Sequence, residues 1–358
     1  MAVEDKLKIA IIGLGRMGAE PTSRLGEIPN GYTPVSHAES IKSIEQLELV
    51  ALCDIDLSKV EKFSRIYDVP HGFEDYKKLV DIIKPDVISI ATRTNLKEEI
   101  INYAVEHGVL GIYVEKPLAT SLSQCERILN HVNKFGTKLT YGTQRRGMPV
   151  FRKAKERAHS GELGNIKSIN FEHGNNLLFW SLPHITDLIT FLTNSSKFNS
   201  ISALCQIPTH YSKESTLIDA DPVVESAIVK MENGITAYIT PGAGSNIRIF
   251  LEKGIITINS DGYSIDTSIE ARFKAKFTEL SREFTEPSKS GTQELFSDLT
   301  ESVLNCKPLS RVTNHEILGG TEILFGIVES GLRNGTIIRH EDLRKNLEIT
   351  GRFGDLYA

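Results

Sequence analysis

The sequence predicts an α/β domain built on a doubly wound parallel sheet, followed by an α+β domain with an open, mainly antiparallel sheet. Three observations lead there. Continuous apolar runs alternate with helical segments over about the first 140 residues. The later half changes to strands with period-two alternation. The length of 358 residues exceeds the roughly 250 to 300 at which one hydrophobic core stops growing.

Element by element, residues 7–12 (LKIAII) form an apolar run closed by glycine, as in a strand buried on both faces. Similar runs follow at 49–53, 86–91, 111–114 and 138–141, with helical segments at 57–67, 76–83, 96–107 and 122–135. Asp56, Asn95 and Ser121 stand as N-caps, and Gly108 and Gly136 as C-terminal stops. This reading gives a first domain over 1–143. In the second, 144–358, a helix at 149–159 leads into strands at 167–173, 200–206, 223–231, 235–240, 247–251 and 255–259. Glu232-Asn233-Gly234 marks a hairpin, because a tight turn needs positive φ at its centre. Helices at 292–304 and 314–333 are expected to pack back on the first domain.

Composition narrows the function. A net charge of -5 provides no basic surface for nucleic acid. Cys53, Cys125, Cys205 and Cys306 make no CxxC pair and read as reduced thiols, and scattered histidines such as His71, His107, His131 and His159 lack metal-ligand spacing. No apolar run approaches the roughly 20 residues of a membrane span, and the amino terminus lacks a signal-peptide pattern. The expectation is a cytoplasmic protein without a metal site, nucleic-acid partner or membrane partner.

Gly13-Leu14-Gly15-Arg16-Met17-Gly18 follows the first strand as GxGxxG. The first glycine turns the chain, the second lets backbone approach a pyrophosphate, and the third permits close helix packing, with the anion on helix-start amides. Asp54 closes the second strand, where a carboxylate accepts hydrogen bonds from an adenosine ribose. It stands 41 positions after Gly13, against a usual spacing of about 20, so an insertion covers 21–43. Pro21 is expected to shorten the first helix. Ile55 and Asp56 follow rather than an arginine suited to a 2′-phosphate, which favours NAD over NADP. The first domain is therefore expected to bind a dinucleotide.

Glu115-Lys116-Pro117 places a lysine at the sheet's carboxyl edge, where the nicotinamide end of such a cofactor lies. Together with Ala91-Thr92, Gln144-Arg145-Arg146, Ser160-Gly161-Glu162-Leu163-Gly164, the segment holding His184 and Asp187, and Lys307-Pro308-Leu309-Ser310, this motif resembles the Gfo/Idh/MocA family (glucose-fructose oxidoreductase, inositol dehydrogenase, MocA). The resemblance implies that the first domain is a Rossmann domain, with a bound nicotinamide cofactor and a reaction at a sugar or cyclitol hydroxyl. It gives Lys116 a hydrogen bond to the reacting oxygen and His184 a place close to the substrate hydroxyl. An amine aimed at that oxygen stabilises the charge that develops there, and histidine exchanges protons near neutral pH.

Around this pair, Thr92, Asn95 and Glu115 join Gly13, Gly15, Arg16, Met17, Gly18, Asp54 and Lys116 as candidate cofactor contacts. Tyr141, Arg145, Asn175, Trp180 and Asp187 join Lys116 and His184 as candidate substrate contacts. Residues 183–192 read as a helix whose apolar face is Ile185, Leu188, Ile189 and Leu192, with His184 and Asp187 on the neighbouring face. Asp187 suits orienting a histidine, binding a sugar hydroxyl, or a hydrogen bond between domains. Trp180 replaces the aspartate many family members carry four residues before the histidine, and reads either as a sugar-stacking ring or as a core anchor. Arg93 and Lys97 replace a proline and a histidine common in the family.

The function expected is hydride transfer between NAD and a hydroxyl-bearing carbon of a sugar, cyclitol or nucleotide sugar. Transient oxidation during elimination or epimerisation, or an inactive cofactor-binding regulator, would use the same site. An open sheet face also suggests a homodimer or homotetramer.

Overall fold

The first strand forms where Ile9, Ala10, Ile11 and Ile12 can all be buried, in the middle of a sheet covered on both faces. The computed structural model describes residues 6–25, 28, 31–173, 177–270, 277–285 and 289–351. Six parallel strands, β1 (Leu7–Ile12), β2 (Leu47–Cys53), β3 (His71–Phe73), β4 (Val87–Ile90), β5 (Gly111–Val114) and β6 (Lys138–Tyr141), lie in the order β3-β2-β1-β4-β5-β6. Strand order reverses between β1 and β4, and in such sheets ligands bind beyond the strand ends at that reversal.

The connecting helices are α1 (Arg16–Ala19), α2 (His37–Lys42), α3 (Leu57–Tyr67), α4 (Tyr76–Ile83), α5 (Lys97–Glu106) and α6 (Leu122–Phe135). Asp56 and Ser121 cap α3 and α6 as expected, and Gly136 ends α6 with φ of 74°. Asn95 does not cap α5. It sits in a 3-10 turn, Thr94–Leu96, and the cap position falls to Leu96, which offers no side-chain acceptor. The turn satisfies the local backbone instead. Asp75 caps α4.

Residues 21–43 are an ordered excursion where they are described. Glu20 is extended before Pro21, as sterics before proline require, and α1 ends at Ala19. Glu39 then ties the segment together, accepting from the amide of Thr22 at 2.9 Å and from the Ser36 hydroxyl at 3.2 Å. Ser36 caps α2.

Of residues 144–358, Gln144–Gly147 and Lys289–Asn314 belong with this first unit. The reason is α9 (Gly291–Leu304), whose Leu295, Phe296 and Leu299 enter the core of the parallel sheet. Phe296 stacks on Tyr113 at 4.1 Å between centroids. A Cβ on Gly111 of β5 would come within 2.9 Å of Val303, so the strand needs glycine for α9 to lie this close.

The second unit, Met148–Ser288 and His315–Arg352, carries α7 (Pro149–Ala158), α8 (Leu182–Thr193) and α10 (Asn314–Gly331) beside a nine-stranded sheet. Its strands are β7 (Ile166–His173), β8 (Phe198–Gln206), β10 (Val223–Met231), β11 (Thr236–Pro241), β12 (Ile247–Leu251), β13 (Gly254–Asn259), β14 (Ser264–Glu270), β15 (Phe277–Phe284) and β16 (Ile338–Arg339). All neighbours pair antiparallel except β7 and β11. The short strands β9 (Leu217–Ile218) and β17 (Glu348–Ile349) pair separately. The hairpin at 232–234 forms, with Gly234 at φ 88°. β14 and β15 extend the sheet beyond the strands anticipated from sequence. α10 belongs here from His315 on, so of the two late helices only α9 returns to the first unit.

Candidate active site

The glycine turn leaves β1 under tight steric constraint at two positions and none at the third. Gly13 has φ of 96°, and a Cβ there would lie 2.7 Å from the Ala91 carbonyl; on Gly18 it would lie 2.0 Å from the Gly13 oxygen. A Cβ on Gly15 meets no described atom within 4 Å. The middle glycine thus faces open space, which is where a pyrophosphate would need to approach. α1 has only four residues, so its macrodipole is small; the unsatisfied amides of its first turn remain as anion donors. Arg16 is exposed and Met17 half-buried beside them.

Asp54 extends from the end of β2 to the same turn. One carboxylate oxygen accepts the Leu14 amide at 2.7 Å and the other accepts the Asp56 amide at 3.0 Å. A carboxylate has about four lone-pair sites, so this half-buried group retains capacity for two ribose hydroxyls. The chain's residues fit an adenine dinucleotide here. Thr92 is half-buried and Asn95 exposed, both past the end of β4.

At the end of β5, Glu115 is only 6% exposed. Its Oε1 lies 3.0 Å from His37 Nε2, and its Oε2 accepts the Lys116 amide at 3.2 Å. Burial pushes this carboxyl up, but the hydrogen bond and electrostatic attraction of His37, with the positive charges of Lys116 and Lys97, outweigh it and hold the group below its ordinary value. Lys97, at 1% exposure, donates to the carbonyl oxygens of Glu115 and, at 2.6 Å, Pro117, so it grips the backbone on both sides of Lys116. Burial drives its amine down to about 7, with Glu115 opposing. Lys116 itself is half-buried.

Sequence reasoning gave His37 and Ser89 no role, and Lys97 appeared only as a departure from the family. Lys97 had a signal: it falls in register with Ile100, Ile101 and Ala104 on the buried face of α5. His37 had none, since its partners lie 52 and 78 positions away.

Tyr141 is buried at the end of β6, and Arg145 lies over the Tyr32 ring at 5.9 Å. Gln144 accepts from Thr292 of α9 at 2.9 Å.

In the second unit, α8 starts at Leu182 with Pro183 in its first turn. The expected face of Ile185, Leu188, Ile189 and Leu192 is buried, but so is every other residue of the helix except half-buried His184. A helix enclosed on all sides must satisfy its polar side chains internally: Thr190 and Thr193 donate to carbonyls of Asp187 and Ile189 at 2.8 and 2.7 Å. Asp187 is buried with Gly320 of α10 close by; a Cβ there would meet its amide at 3.6 Å. Half-buried Trp180 sits in a turn pinned by the Phe179 amide to Asp221 at 2.9 Å. Asn175 lies outside the described residues.

Among the described residues, no group of three or more His, Cys, Asp or Glu side chains could hold a metal, and no helix is long and apolar enough to cross a membrane. All four cysteines are unbridged.

Parallel strand order, a glycine turn open at its centre and an acidic strand end together define a dinucleotide-binding domain. Residues 7–143 match the model of an oxidoreductase family with an NAD-binding Rossmann fold, GFO_IDH_MocA. Among curated relatives, the myo-inositol 2-dehydrogenase of Thermotoga maritima is 25% identical over 158 residues, 44% of this chain and 42% of the relative. The D-glucoside 3-dehydrogenase of Escherichia coli is 27% identical over 160 residues, 45% and 41%. The matches span about two fifths of these relatives' length. An Agrobacterium radiobacter oxidoreductase, solved with NAD+, L-tartaric acid and magnesium, superposes with a TM-score of 0.73 at 16% identity, covering 94% of this chain and 99% of that one. The aldose-aldose oxidoreductase of Caulobacter crescentus, solved with glycerol, gives 0.74 at 17%, covering 93% and 99%. These likenesses extend the shared fold to both units.

Proposed function

We propose that the protein is an NAD-dependent oxidoreductase acting on a hydroxyl-bearing carbon of a sugar, cyclitol or nucleotide sugar. The observation that carries the reading is Lys116: a half-buried amine at the end of β5, with its backbone gripped by Lys97 and Glu115, on the edge of the sheet where Gly15 faces open space. The curated relatives act, by their names, on inositol and glucosides, which supports a polyol substrate.

The cofactor, when bound, supplies or receives the hydride. Gly13, Gly15 and Gly18 bring backbone amides to its pyrophosphate, and Asp54 accepts its ribose hydroxyls. Lys116 directs its amine at the substrate oxygen and stabilises the negative charge that grows there as the hydroxyl proton leaves during oxidation, or as hydride adds to the carbonyl carbon during reduction. His184, the least enclosed residue of its helix, takes the hydroxyl proton during oxidation and returns it during reduction. Arg145, Trp180 and Asp187 contribute substrate contacts.

The test is NAD reduction with a panel of inositols, free sugars, glucosides and UDP-sugars, comparing wild type with Lys116→Ala. Turnover on an accepted substrate is expected to fall by about 10²- to 10⁴-fold. Full activity in the variant would remove Lys116 from the chemistry.

A further inference from the structure

The inserted segment ends in a helix whose first residue, His37, is buried at 0% exposure inside the parallel-sheet unit. Its Nδ1 lies 2.6 Å from Ser89 Oγ on β4, its Nε2 3.0 Å from Glu115 Oε1, and its ring packs edge-on against Tyr113 and Phe296 at 4.7 and 5.5 Å. Hydroxyl, imidazole and carboxylate stand in the order of a nucleophilic triad. Their burial excludes that use: Ser89, like His37, is at 0% exposure, so no substrate reaches its oxygen. The relay instead points towards Lys116, whose amide is held by the other oxygen of the same carboxylate.

We propose that His37 is a positioning residue for Lys116, and that α2, at the end of the insertion, is a brace fixing the Glu115 carboxylate against the Lys116 turn. Only acceptors are present on an ionised carboxylate, so Nε2 must carry a proton and donate, while Nδ1 is held by the Ser89 hydroxyl. This sets the ring's orientation from one side and the carboxylate's from the other. Gly142 closes the slot, because a Cβ there would come within 2.7 Å of Glu115 Oε1. The segment also reaches the end of β6, where Tyr32 underlies Arg145. Titratable groups around the carboxylate are His37 from α2, Lys97 from α5, Tyr113 from β5 and Lys116 itself.

The brace acts on Lys116 in two ways. It holds the backbone from which the amine projects, and it keeps a negative charge beside that amine. Without its donor, a carboxylate this deeply buried takes up a proton, and the lysine loses its stabilising neighbour. The consequence for turnover rests on the reading of Lys116 given above; the charge coupling does not.

The experiment labels the full-length protein with acetic anhydride across a pH series and measures acetylation of Lys116 by peptide mass spectrometry, with exposed Lys230 of the second unit as control. In His37→Leu the labelling midpoint of Lys116 is expected to fall by about one pH unit, with Lys230 unmoved. His37→Gln, which keeps a donor, should recover at least half of the shift. On an accepted polyol, His37→Leu should lower kcat about tenfold or more while NADH affinity stays within twofold of wild type. An unmoved Lys116 midpoint in a His37→Leu protein that binds NADH normally overturns the proposal. Should His37→Leu not fold, Glu115→Gln carries the same test without a cavity: a lowered midpoint supports the brace and an unchanged one overturns it. A lowered midpoint in a protein inactive on every polyol would leave the brace standing and defeat the oxidoreductase reading alone.

Discussion

Two carboxylates close strands of the same parallel sheet and are built in opposite ways. Asp54, at the end of β2, is half-buried and, among the described residues, bonded to backbone amides at 2.7 and 3.0 Å. Glu115, at the end of β5, is buried and bonded to an imidazole brought in by a distant segment. A carboxylate held by amides near solvent keeps lone pairs available and suits binding. One enclosed with a histidine and two lysines is already committed, and suits holding other groups in place. The difference separates recognition of the cofactor from organisation of the lysine.

The largest effect that tests this contrast is on stability. His37→Leu leaves a buried carboxylate without its donor and is expected to cost about 3 to 5 kcal/mol in chemical denaturation. Asp54→Asn should cost only about 1 kcal/mol and instead weaken NADH binding about tenfold, read by fluorescence titration. Equal stability losses would erase the distinction between the two sites.

The glycine turn offers a second contrast. Gly18→Ala forces a methyl against the Gly13 carbonyl and should destabilise by about 1 to 3 kcal/mol. Gly15→Ala points its methyl into open space, so stability should change by less than about 0.5 kcal/mol while NADH affinity falls at least tenfold. Unchanged affinity in Gly15→Ala would mean that the pyrophosphate does not approach this backbone.

A pH dependence follows from Lys97. Its folded amine gives up a proton near 7, while the unfolded one does so near its ordinary 10.5. Between those values the unfolded state binds the extra proton, so stability rises with pH across this window and falls as pH drops towards 7. Lys97→Met should flatten that slope in denaturation curves taken at pH 7 to 10. A neutral amine still has two hydrogens, enough for the Glu115 and Pro117 carbonyls, so wild type should keep its grip on the turn throughout.

Some of this was legible in sequence because the signal is local. The strands β1, β5, β6, β10 and β12 fall where their apolar patterns put them, and Gly13, Gly15, Gly18 and Asp54 meet as the motif requires, even across the insertion. Periodicity failed where burial was not one-sided. α8 reads as amphipathic, yet its threonines are enclosed because they bond to their own helix's carbonyls. Asn95 has the residue type of a cap, but a 3-10 turn displaced it.

By itself, then, the sequence determined the two-part α/β and antiparallel architecture, the cofactor turn and the lysine at the end of β5, each encoded by residues within a few positions of one another. Tertiary structure alone decided that α10 joins the second unit from His315 on and that the insertion delivers His37 to Glu115. Those outcomes depend on which buried surfaces and buried charges find one another across long stretches of chain. A carboxylate taken out of water must have a donor, and nothing in the spacing of residues 37, 89 and 115 names which one.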